Sequence, residues 1–193
     1  VADTKALGMK MVNKRYAVPA LGGVIFGGFL NNSPSIVLVD LASGKKKWVL
    51  DNIFESASET LVAKPLSISD QSLLLATTKR LYCIDVSKGS VIWKTDFKND
   101  NIEYITREND NLWGYTKKGK LFQLDITNGE IATEIKLTTQ PISNIEFPVD
   151  DTIFYYCDAG LIKFDLSTKD EDLYYMRTSL GENVYTAYLK IIR

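Results

Sequence analysis

Four aspartates, Asp40, Asp85, Asp125 and Asp165, each close an apolar run, and they stand 45, 40 and 40 residues apart. The runs are Ile36-Val-Leu-Val, Leu81-Tyr-Cys-Ile, Leu121-Phe-Gln-Leu and Leu161-Ile-Lys-Phe. A fixed period of this size confines the chain to an architecture in which one supersecondary unit is stacked on copies of itself, a solenoid or a propeller.

Within the period the pattern is β throughout. Segments Ser72–Arg80, Leu112–Lys120 and Thr152–Gly160 align without gaps, each an apolar run ending in a turn such as Lys118-Gly119 or Asp158-Ala159-Gly160. A short turn of this kind between two apolar runs predicts a hairpin whose second strand ends at the Asp. A further strand follows in each of the last three repeats, through Val91–Phe97, Glu130–Leu137 or Leu173–Thr178. One more precedes each hairpin, at Arg15–Ala20, Leu61–Ile68, Ile102–Arg107 and Ile142–Phe147, set off in the later repeats by clusters such as Ser69-Asp70-Gln71 and Pro148-Val149-Asp150-Asp151.

Each repeat therefore holds four short antiparallel strands, the content of a propeller blade. No window carries a 3.6-residue period, so almost no helix is expected. The blades fall at about 13–52, 60–98, 101–138 and 141–179, in a single repeat domain spanning 1–193, with an extra strand at 183–192. The first repeat is less regular. Its hairpin, Val24 to Leu41, carries a longer turn at Asn31-Asn32-Ser33-Pro34, Leu50–Thr60 adds five residues to the period, and Val1–Val12 has no partner in the repeat.

The Asp keeps fixed company. Gly44, Gly89 and Gly129 follow it four residues on, and Lys169 takes that place in the last repeat; Trp48 and Trp93 follow eight residues on, where Thr133 and Leu173 stand later. An Asp carboxylate accepts backbone N–H groups two or three residues ahead, and Gly supplies a positive φ, so the pair closes a tight strand-to-strand turn. A Trp recurring at one place in a repeat is expected to dock between neighbouring blades.

The pattern Leu81-Tyr82…Asp85…Gly89…Trp93, preceded by a turn and an apolar strand, resembles the tryptophan-docking repeat of pyrroloquinoline-quinone-type, quinoprotein-like β-propellers, over about residues 15–178. The resemblance implies an all-β propeller or partial propeller of about four blades. It says little of activity, since such propellers include quinone-dependent dehydrogenases, outer-membrane assembly lipoproteins and many binding proteins. It also implies a periplasmic or secreted location. Family members commonly close with seven or eight blades, so four blades imply a small ring or part of a larger one. Val1 in place of Met makes a processed chain or an excised segment the expectation. An uncovered blade edge presents unpaired backbone groups, which implies self-association.

Composition narrows the chemistry. The chain has no histidine, which removes Ser-His-Asp and Cys-His catalysis and the commonest metal ligand. A quinone dehydrogenase of the resembled kind would hold its cofactor through Ca²⁺ and often a vicinal disulfide, yet Cys83 and Cys157 are far apart and are expected to be free thiols. No cofactor or metal is expected. The acidic run Asp170-Glu171-Asp172 reads as a solvated turn. A net charge of -1 gives no electrostatic case for nucleic acid or an anionic membrane, and no apolar stretch nears the ~20 residues of a membrane span.

Of the aromatics, Trp113, Tyr115, Tyr174 and Tyr175 are the candidates for an interaction surface. The expectation is a non-enzymatic module mediating protein–protein interaction or assembly. The alternative is a propeller that binds or hydrolyses a carbohydrate or small molecule in a central pocket.

Overall fold

The computed structural model describes residues 8–31, 33–51, 53–55, 59–149, 151–176 and 189–190, with the backbone alone for 11–16, 175 and 176. Among the described residues it contains sixteen strands and no helix. The first sheet is β1 (Met9–Ala20), β2 (Gly23–Leu30), β3 (Ser33–Asp40) and β4 (Lys46–Asp51). The second is β5 (Leu66–Ser67), β6 (Ser72–Ala76), β7 (Arg80–Asp85) and β8 (Ser90–Asp96). The third is β9 (Ile102–Glu108), β10 (Asn111–Thr116), β11 (Lys120–Asp125) and β12 (Ile131–Lys136), and the fourth β13 (Glu146–Val149), β14 (Thr152–Cys157), β15 (Gly160–Asp165) and β16 (Glu171–Met176). Every sheet is an antiparallel meander in chain order.

The described residues fall into two compact units, Val1–Ile102 with Ile126–Gly129, and Glu103–Asp125 with Glu130–Arg193. In the first, Ile25, Ile36, Leu38, Leu73, Leu75, Tyr82 and Ile84 form a shared core, while Met9, Phe26, Val37 and Val39 bury the opposite face of the first sheet. In the second unit, Trp113, Tyr115, Ile135, Ile153, Tyr155, Ile162 and Phe164 pack together. Central strands β3, β7 and β11 read as near-continuous apolar runs because both of their faces are covered. Fourth strands are covered on one side only and leave Val91, Ile92, Ile131, Leu173 and Tyr174 exposed.

Several details differ from the sequence reading. The turn before Ser33 is tight, not long: Leu30 pairs with Ser33 and Phe29 with Pro34, so Ser33 and Pro34 belong to β3. The stretch expected to lack a partner supplies Met9 and Lys10, paired with Leu30 and Phe29. Leu61–Ile68 shrinks to an isolated Leu61–Thr77 bridge and the two residues of β5, since Pro65 has no N–H to give a ladder.

In the fourth sheet the first strand slips to Glu146–Val149, taking Pro148 and Val149 from the expected turn. Ser143 is the cause: its hydroxyl oxygen accepts the Tyr156 N–H at 2.9 Å, a backbone carbonyl's place in the ladder. Asn144 then binds the backbone of Leu189, donating from Nδ2 to its carbonyl (2.8 Å) and accepting its N–H (2.7 Å). The strand expected at 183–192 lies outside the described residues, save Leu189 and Lys190, which carry none.

Candidate functional site

The recurrent turn is built from local hydrogen bonds. Asp40 Oδ1 accepts the Ser43 N–H at 2.8 Å and the Ser43 hydroxyl at 2.9 Å. Asp85 Oδ1 accepts the N–H and hydroxyl of Ser87 (2.9 and 2.6 Å) and the Lys88 N–H (3.0 Å). Asp165 repeats this with Ser167 (2.9 and 2.6 Å) and Thr168 (3.0 Å). In the third repeat the Asp125 N–H closes the turn onto the Glu130 carbonyl at 2.9 Å. These donors hold the carboxylates below the usual range: Asp40 is drawn to about 2 by the Ser43 N–H and hydroxyl and by Lys47, Asp85 down by Ser87 and Lys88, and Asp165 down by Ser167 and Thr168. Gly44, Gly89 and Gly129 take φ of 69°, 66° and 78°. Lys169 takes 65° in their place, so the turn alone does not require glycine.

What requires it is an indole. Trp48 Nε1 donates to the Val86 carbonyl at 2.6 Å, and a Cβ on Gly89 would lie 2.4 Å from the Trp48 ring. Trp93 Nε1 donates to the Ile126 carbonyl at 3.2 Å, and a Cβ on Gly129 would lie 2.4 Å from the Trp93 ring. The turn 126–129 belongs to the first compact unit together with Trp93. Each indole sits just past a register shift of the ladder, between Leu38 and Val39 opposite Trp48 and between Cys83 and Ile84 opposite Trp93. A bulge of this kind swings the following side chain off the ladder and re-aims it. Gly44, by contrast, has nothing within 4 Å of where its Cβ would be.

The third repeat keeps the bulge and loses the indole. Gln123 pairs with Thr133 and Leu124 with Ile131, so Ala132 is the extra residue and Thr133 stands where Trp48 and Trp93 stand. Beside it, within the second unit, lies a cleft of about 780 Å³ lined by Thr133, Leu166, Trp113, Phe147, Gln123 and Glu108, among others. Leu166 follows its Asp as Val86 and Ile126 follow theirs. The cleft thus lies beside the position that an indole takes in the first two repeats.

The interaction-surface candidates divide. Trp113 and Tyr115 are 6% and 5% exposed, in the core of the second unit, because β10 is a central strand covered on both faces. Trp113 packs against Phe147 at 5.6 Å between ring centroids. Tyr115 stacks on Tyr104 and donates its hydroxyl to the Ser143 carbonyl at 2.9 Å; burial, with Glu103 and Tyr104, pushes that phenol up. Tyr174, the bulged residue of β16, is 67% exposed and meets Phe154 edge-on. The Tyr175 side chain lies outside the described residues.

An ionic cluster in the first unit has no signature in the sequence, because its members come from separate stretches. The buried Glu59 carboxylate receives the Thr77 hydroxyl, Arg80 Nη1 and the Glu55 N–H. Arg80 Nε also donates to Asp96 at 2.6 Å, and Lys94 bridges to Glu55 at 3.2 Å. Burial disfavours the charged guanidinium, but Asp96, Glu59 and Glu55 more than offset it and its pKa rises. Beside this cluster Tyr82 donates its hydroxyl to the Ile53 carbonyl at 2.6 Å, and burial together with Glu59 pushes its pKa to about 12. The cluster ties the connection after the first sheet to β7. Among the described residues no group of three or more acidic, Cys or His side chains could hold a metal, and no helix is long and apolar enough to cross a membrane. Cys83 and Cys157 are buried free thiols.

A family model described as "Outer membrane protein assembly factor BamB" matches residues 32–146. Among solved structures, BamB from Moraxella catarrhalis superposes with a TM-score of 0.58 at 19% identity, over 83% of this chain and 51% of that one. The computationally designed Ika8 protein gives 0.57 at 11% identity (77% and 44%), and the Neurospora crassa Pan2 WD40 domain 0.51 at 19% (82% and 50%). The chain thus spans about half the length of these structures. No curated protein sequence matches significantly. At such identities the likeness is one of fold, an all-β propeller or partial propeller of four-stranded blades.

Proposed function

The chain belongs to the family of the outer membrane protein assembly factor BamB, and from that membership we propose that it is a non-enzymatic propeller module that binds protein partners during assembly. The observation that carries the reading is the family match across residues 32–146, which takes in all of β3 to β12. Exposed apolar side chains on the fourth strands support it: Val91 and Ile92 on β8, Ile131 on β12, Leu173 and Tyr174 on β16. Apolar and aromatic groups at an accessible strand are what a protein partner desolvates. The proposed partner is a component or client of outer-membrane protein assembly, and the proposed location is periplasmic or secreted.

The test is site-specific photo-cross-linking of the full-length protein in its cell of origin, with the reactive residue at Ile92 or Tyr174. Adducts with an outer-membrane β-barrel or a subunit of its assembly machinery are the expected result. Adducts only between copies of the protein itself, or none at either position, would overturn the reading.

A further inference from the structure

The cleft beside Thr133 has a shape set by what fills its counterparts. In the first two repeats the chain supplies a flat N–H donor, an indole, to the carbonyl that follows the next Asp. The third repeat retains the same bulge but offers only a threonine, and Leu166, the residue after the next Asp, lines the cleft. The cleft beside that threonine has a volume of about 780 Å³.

Its lining is acidic. Among the described residues that line it are two carboxylates, Glu108 and Asp151, and no lysine or arginine. Asn109, Asn111 and Gln123 add amide oxygens, and Trp113 with Phe147 supplies aromatic wall. Lys169 excludes an indole in the original pose, since a Cβ at that position of the turn falls within 2.4 Å of the ring in both filled sites. The occupant must therefore be flat, donate N–H groups, carry positive charge, and be slimmer than a bicyclic ring over the turn.

We propose that this cleft is a binding site for an arginine side chain presented by a protein partner. The guanidinium is planar, donates in a fork that suits the Leu166 carbonyl and a carboxylate together, and stacks on aromatic faces where a lysine ammonium does not. The arginine is assigned to a polypeptide on the strength of the protein-interaction reading; the site's preference for a guanidinium stands without it.

The experiment titrates the full chain with N-acetyl-arginine amide, N-acetyl-lysine amide and N-acetyl-tryptophan amide, followed by NMR at the Trp113 indole N–H and the amides around Leu166. The arginine probe should bind tightest. Glu108→Gln with Asp151→Asn should weaken it at least tenfold while leaving the spectrum otherwise folded, since Asp151 has φ +57 and asparagine accepts that conformation. Thr133→Trp with Lys169→Gly, which refills the cleft from within, should abolish binding; should that variant fail to fold, the carboxylate pair decides alone. Equal binding of the lysine probe, tighter binding of the tryptophan probe, or arginine binding unchanged in the carboxylate variant would overturn the proposal. Absence of partner cross-links at both Ile92 and Tyr174 would refute the partner reading while leaving this titration to stand or fall by itself.

Discussion

Replacing Gly89 by alanine should cost the first unit far more than the same change at Gly44, although the two glycines share one turn and nearly one conformation. Their φ values are 66° and 69°, so the left-handed penalty of ~1–2 kcal/mol applies equally to both. At Gly44 that is the whole cost, because the new methyl enters open space. At Gly89 the methyl would meet Trp48 Cδ2 at 2.4 Å, Cγ at 2.6 Å and Cε3 at 2.7 Å. Carbon–carbon contacts settle at ~3.5–4.0 Å, so the ring must retreat by roughly 1 Å. That displacement breaks the 2.6 Å bond from Trp48 Nε1 to the Val86 carbonyl. Overpacking of this kind costs ~1–3 kcal/mol and the lost hydrogen bond ~1 kcal/mol, giving Gly89→Ala an excess of ~2–4 kcal/mol over Gly44→Ala. Urea denaturation followed by tryptophan fluorescence reads it out, since Trp48 and Trp93 both lie in the first unit. Repeating both changes in a Trp48→Ala background should erase the excess, because the clash has lost its partner. Equal losses at Gly44 and Gly89 in the parent chain would refute the docking argument.

Further outcomes follow from the same geometry. Thr133→Trp should destabilise alone and stabilise when combined with Lys169→Gly, with a coupling of ~1–3 kcal/mol in a thermal-melt double-mutant cycle; additive effects would count against the cleft being a vacated docking place. Trp93→Ala should cost ~2–3 kcal/mol by urea denaturation, below the loss for a fully buried aromatic, because the ring is half-buried. Tyr82→Phe should cost ~1–2 kcal/mol, since it strands the buried Ile53 carbonyl that the phenol now serves. The turn carboxylates have folded-state pKa values depressed below the unfolded 3.8. Their contribution is therefore present above about pH 4 and lost as pH falls through the folded values, near 2 for Asp40. Unfolding midpoints of the parent chain and of a variant with Asn at 40, 85 and 165 should converge below about pH 2; a constant gap across that window would contradict the linkage.

Much of the strand content was legible because its determinants are local. The alternation of apolar run, turn and apolar run placed β6, β7, β10, β11, β14 and β15 nearly to the residue. The first strands were the weak point. Pro65 and Ser143 each interrupt a ladder through a backbone or hydroxyl group, which an apolar pattern does not register. Trp113 and Tyr115 were misread as surface because a strand sequence shows which residues alternate, not whether both faces are covered. The Arg80 cluster was invisible for another reason: Glu55, Glu59, Arg80 and Asp96 meet only after the connection between two sheets has folded back.

By itself, then, the sequence determined the unit and its repetition: four strands, an Asp-capped turn, and the number of times they recur. Hydrogen bonds spanning two to five residues close the turns, and ladders between strands adjacent in the chain build the sheets. Only the tertiary structure decided what each turn is for. The pairing of Trp48 with Gly89 and of Trp93 with Gly129 joins residues 41 and 36 apart, while beside Thr133, where no indole stands, the structure holds a cleft. Packing sets that outcome, since a glycine is required where a ring lies on it and dispensable where none does.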